Sequence, residues 1–173
     1  MHPIITFGVL AVGALNPIGV ATAALALDGG WLLPRRSYSA EPRQVIQAIR
    51  AAEESHRAET LVYLACSSSL TDGYPRATPD SSAWVWDNPL HPSAACWRML
   101  AVRPGPVRYV YSVVAGLPGQ KPPAVPGIRI DWPVPAEPWY VVVAMGDVDG
   151  DGVRSTFVGS SFVGEIYAES EGE

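Results

Sequence analysis

The residues of this chain with the clearest ligand chemistry lie close together near the C-terminus: Asp147-Val148-Asp149-Gly150-Asp151-Gly152. Carboxylates at alternate positions can converge on one point, because glycine permits the sharp turn that brings them round. A hard cation with oxygen ligands is what such a turn would hold. D-x-D-x-D-G is the opening of a calcium-binding loop, in which the next ligands are a backbone carbonyl and a direct or water-mediated contact. Val153 and Ser155 occupy those places. The twelfth position holds Val158 rather than the bidentate glutamate of an EF-hand, so the expected affinity is weak, in the range of about 10⁻⁴–10⁻³ M. The competing reading is a turn between two strands, where Asp and Gly are favoured for backbone reasons alone. The candidate metal set is therefore Asp147, Asp149, Asp151, Val153 and Ser155, with calcium as the one cofactor to consider.

The remaining reactive side chains are few. Cys66 and Cys96 are the only cysteines, and two isolated thiolates do not make a tetrahedral zinc site. They are expected to pair as a disulfide in an exported protein, with buried free thiols as the alternative. The histidines are His2, His56 and His91. His56 falls on a helical stripe and reads as packing. No G-x-S-x-G elbow and no glycine-rich phosphate loop occur, so the chain is expected not to be an enzyme. A net charge of -5 argues against nucleic acid as a partner, since phosphates call for a basic face.

These residues must be positioned by the rest of the chain, which divides in two. Residues 4–27 carry no charge and are long enough as a helix to span the hydrocarbon of a bilayer. A cleavable signal is the rival reading, with Ala24-Leu25-Ala26 resembling a cleavage site. Asp28-Gly29-Gly30 and Pro34 are expected to break or bend this helix, and Ser39 is placed to cap a second one. The expected divisions are 1–34, a hydrophobic helix and bend, and 35–173, a globular head.

Within the head, residues 41–59 read as an amphipathic helix whose apolar stripe runs through Val45, Ile49, Ala52 and His56, widened by Ile46. Arg50, Glu53, Glu54 and Arg57 fall largely off that stripe, and Glu53/Arg57 and Arg50/Glu54 are spaced to pair along the helix. Residues 67–92 read as loop, with Trp84 and Trp86 covering the core. Residues 96–102 are a strand or a helical turn. Strands are predicted over 107–115, 139–145, 153–158 and 162–168, rich in β-branched and aromatic residues. The proline-rich residues 117–138 read as an extended surface connection. The predicted fold class is α+β: the hydrophobic N-terminal helix, then a second, amphipathic helix packed on a three- to four-stranded antiparallel sheet.

Several stretches resemble one family. SYSAEPRQVIQAIRAAEESHRAE (37–59) resembles the region where the long helix of type IV pilins and type II secretion pseudopilins enters the head. YPRATPDSSAWVWDNP, ACWRML and VRYVYSVVAG resemble head segments of pilin-like proteins of the delta-proteobacterial (myxobacterial) kind. PWYVVVAMGDVDGDGVRSTFVGSSFVGEIYAESEGE (138–173) resembles their C-terminal end most closely. The family's leader and early glutamate are not matched: Thr6 precedes Phe7, and the first glutamate is Glu41. The resemblance implies a pilin-like roll and a non-catalytic subunit of a cell-surface filament or secretion pseudopilus. Its partners would be copies of itself or other pilins through the N-terminal helix, and the inner membrane before assembly. Its location would be the bacterial inner membrane with an exported head, then the cell surface. A membrane-anchored or secreted binding module with a calcium-dependent loop is the alternative.

Overall fold

A computed structural model describes the backbone of residues 16–171 and the side chains of residues 38–171. It comprises two compact units, Met1–Ser37 and Tyr38–Glu173. The first helix, α1, is Asn16–Thr60. The break expected at Asp28-Gly29-Gly30 and Pro34 does not occur, and Ser39 lies inside the helix instead of capping a new one. Gly and Pro inside a helix cost about 1 and 3 kcal/mol, which are penalties rather than prohibitions. Among the described residues no helix is long and apolar enough to cross a membrane. Residues 4–15 of the expected anchor lie outside those described.

The second unit is α+β. A short helix, α2 (Ala94–Met99), precedes four strands: β1 (Val110–Gly116), β2 (Trp139–Gly146), β3 (Ser155–Ser160) and β4 (Tyr167–Glu169). They form one sheet in the order β1-β2-β3-β4, every pair antiparallel. Val113 pairs with Val142, and Val143 pairs with Val158. All of β2 is buried, as its unbroken run of apolar residues requires for a strand covered on both faces. The third strand begins later than predicted, and only the end of 162–168 pairs. Gly164 has no side chain to hold a strand there, and Val163 and Glu165 are exposed.

Each face of the sheet has its own cover. On one, α1 lays Val45, Ile46 and Ile49 against Val113, Val142 and Phe157 in the larger core. Ala52 and His56, placed on the stripe from sequence, are only half-buried, and the fully buried continuation is Glu53. The helical pairs Glu53/Arg57 and Arg50/Glu54 give way to longer-range bonds. Arg57 reaches Glu137 at 2.6 Å and Arg50 donates to the carbonyls of Val163 and Gly164. The opposite face is covered by the proline-rich connection, which sends Val125 and Trp132 into a second core with Val114, Val141 and Val143. The segment expected to run over the surface is therefore the lid of that core. Prolines supply no backbone donors to leave unpaired, so such a chain can lie on a sheet without joining it.

Cys66 and Cys96 are joined as a disulfide, with Cα atoms 5.3 Å apart. The loop it closes carries Tyr74 and Trp86, and Trp97 follows Cys96 directly on α2; the three ring centroids lie 5.0–5.3 Å from one another. Trp86 covers the core as expected, whereas Trp84 remains 42% exposed, with the Arg76 guanidinium over its ring.

Candidate functional site

The acidic loop joins β2 to β3. Val148 anchors it, buried in the larger core, while Asp149 and Asp151 are exposed and Asp147 is half-buried. Gly150 and Gly152 have φ of 81° and 92°, the left-handed region in which a side chain would be strained. That turn brings one oxygen of each of Asp147, Asp149 and Asp151 within 4.8 Å of the others. Two oxygens bound to one calcium at about 2.4 Å can be no further apart than about 4.8 Å, so the spacing fits a shared cation.

The same carboxylates also hold the turn. Asp147 Oδ1 accepts from the Gly150 N–H at 2.9 Å, Asp149 Oδ1 from Asp151 at 3.4 Å and Asp151 Oδ1 from Val153 at 2.7 Å. Both readings of the motif are served at once, because a carboxylate that accepts one backbone bond keeps further lone pairs. The outer members of the expected ligand set behave differently. Val153 is exposed. Ser155 is fully buried at the start of β3, where its hydroxyl accepts from the Tyr109 hydroxyl at 3.3 Å. The structure thus gathers the three aspartates and places Ser155 in the sheet.

A second polar cluster was not visible in the sequence. Glu53 Oε2 accepts the Leu64 N–H at 2.8 Å, and Oε1 is buried without a hydrogen-bond partner. Burial pushes its pKa up to about 7, against the lowering effect of the Leu64 bond and with a further push from Glu54. Next to it, Tyr63 donates to Glu54 at 2.8 Å and receives Arg57 at 3.2 Å. Burial, then the bond to Glu54, carries the Tyr63 phenol up to about 12. The neighbouring cleft is walled by Gln47, Arg50, Glu54 and Tyr140, without Glu53. Glu53 therefore acts on the chain around it, holding the segment that leaves α1 on its way to Cys66.

Glu41 is a further acidic residue whose role helix periodicity did not single out. Its carboxylate accepts from the backbone of Arg108 and Tyr109 and from the Tyr111 hydroxyl, at 2.9–3.1 Å. It ties α1 to the start of β1 and satisfies the phenol of Tyr111, which is fully buried. A glutamate beside Pro42 at the start of the apolar stripe was all the sequence showed, and only the tertiary fold shows what it meets. Comparison with known proteins returns no match to this chain, whether to a family model, a curated protein or a solved structure.

Proposed function

We propose that the chain is a non-catalytic structural subunit of a pilin-like or pseudopilin-like assembly, held through its hydrophobic N-terminal segment and presenting the disulfide-bonded head. The observation that carries this reading is the continuity of α1. One helix contains the end of the uncharged run and also the Val45-Ile46-Ile49 stripe that packs on the sheet. A subunit built that way buries its apolar segment in a bilayer or among copies of the same segment, at roughly 25 cal/mol per Å² of apolar surface. Deleting the gene and imaging cells by electron microscopy tests it. Loss of a filament, restored by the full chain but not by a chain lacking residues 4–27, is the expected outcome. Unchanged filaments together with a soluble, monomeric full-length product would overturn it.

The convergence of Asp147, Asp149 and Asp151 favours a second reading, a binding module stiffened by calcium. Here the head would melt several degrees higher in millimolar calcium than in chelator, and Asp149→Asn would abolish the difference. Identical melting in both conditions removes this reading and leaves the loop as a turn.

A further inference from the structure

The aromatic cluster beside the disulfide forms the floor of a cavity of about 230 Å³. Tyr74, Trp86 and Trp97 supply the floor, and Val102, Pro104 and Pro106 supply apolar walls. Aromatic rings edge-on and stacked, as Tyr74 is to Trp86 and to Trp97, leave little freedom to collapse, so the hollow is preformed. The Trp97 indole N–H is buried and makes no hydrogen bond, an unmet donor of the kind that is rare in a finished core.

The rim is charged. Arg98 is engaged by Asp87 at 2.8 Å. Arg103 also lines the cavity and is exposed, with no ion pair or hydrogen bond among the described residues. Two arginines against one aspartate leave the mouth positive on a chain whose net charge is -5. The volume is below the roughly 300–1,000 Å³ of pockets that take drug-sized ligands and suits a single ring with a short substituent.

We infer that this cavity is a binding site for a small aromatic carboxylate, its ring on the Tyr74-Trp86-Trp97 floor and its anionic end at Arg103. The shared chemistry is a ring one or two bonds from a carboxylate, whether in a free molecule or at the C-terminal phenylalanine of a peptide. Apolar contact supplies the affinity, and Arg103 supplies the choice of anion over neutral or cationic analogues.

Calorimetry and indole N–H spectra on the full-length chain in nanodiscs test it, with phenylacetate, 2-phenylethanol and phenethylamine as probes. Phenylacetate is expected to bind with a Kd of about 1 mM or tighter, to shift the Trp86 and Trp97 indole signals, and to outbind both analogues. Arg103→Gln weakens phenylacetate by about fivefold and leaves 2-phenylethanol unchanged. Gly105→Glu, at a lining position where an added Cβ meets nothing within 4 Å, removes the preference for the anion without replacing any residue of the floor. A short peptide ending in phenylalanine that binds more tightly than phenylacetate assigns the ligand to a chain terminus, and the reverse assigns it to a free molecule. Equal binding of the three probes, indifference to both substitutions, or unshifted Trp86 and Trp97 signals would overturn the site.

Discussion

At the scale of single residues, Glu53 makes the sharpest claim. It sits four positions after Ile49 on the same helical face, where periodicity calls for an apolar side chain. Charge alone argued for solvent at that position, and the sequence carries no sign that the Leu64 N–H would be waiting for it. The consequence is measurable. The native state holds the Glu53 proton up to pH about 7, while the unfolded chain releases it near 4.5. The native state therefore binds more protons between those values, and stability is fully present below the lower one and lost as pH rises through the upper. The loss should come to about 3 kcal/mol in chemical denaturation across that window. Glu53→Gln should flatten the profile and be the more stable protein above pH 7. A wild-type profile that rises over the same interval would show the carboxyl to be ionised in the fold. Asp80, held down to about 2 by Arg76, has the opposite sign and acts only in more acidic solution, so it leaves this window clear. The acidic loop was legible from spacing and glycine placement, whereas the burial of Ser155 was not, because strand phase decides it.

Among the elements, the helix–sheet contact was legible in outline. Val45, Ile46 and Ile49 were readable as a stripe, and the β-branched run of β2 was readable as a central strand. How closely the two approach was not readable, because it depends on a glycine in β3. A methyl group at Gly159 would lie 2.6 Å from Ile46 Cγ2 and 3.1 Å from Val142 Cγ1, well inside contact distance. Gly159→Ala is therefore expected to cost about 1–3 kcal/mol by overpacking. Ile46→Ala removes the methyl that blocks it. The double variant should be more stable than the sum of the two single losses predicts, and a strictly additive cycle would show that the sheet yields elsewhere. The proline-rich connection shows the limit of the same reasoning. Proline density correctly excluded a strand from 117–138, yet Val125 and Trp132 within it close the second core, and isolated apolar residues in an irregular segment have no period to announce them.

For the molecule as a whole, the disulfide decides how much of the head can be held by burial alone. The chain-entropy account gives about 3–4 kcal/mol for closing a loop of about 30 residues, a large share of the roughly 5–15 kcal/mol that separates a folded domain from its unfolded chain. Cys66→Ser with Cys96→Ser should lower the denaturation free energy by that amount and loosen the Tyr74-Trp86-Trp97 floor first, seen as earlier exposure of tryptophan fluorescence. Coincident loss of fluorescence and of sheet signal would place the loop and the sheet in one cooperative unit.

The bond also decides how the head bears load. Tension entering through α1 reaches Cys66 before the aromatic loop and crosses directly to Cys96, a sequence separation of 30. The residues between are shielded from extension. Each fully stretched residue spans about 3.5 Å, so roughly 100 Å of slack stays locked away while the cysteines are oxidised. In single-molecule stretching, reductant should lengthen the fully extended chain by that amount. Until the bond is cut, a pull on α1 passes from Cys96 into the segment that leads to the sheet, and only the residues between the cysteines, Tyr74 and Trp86 among them, are spared the strain.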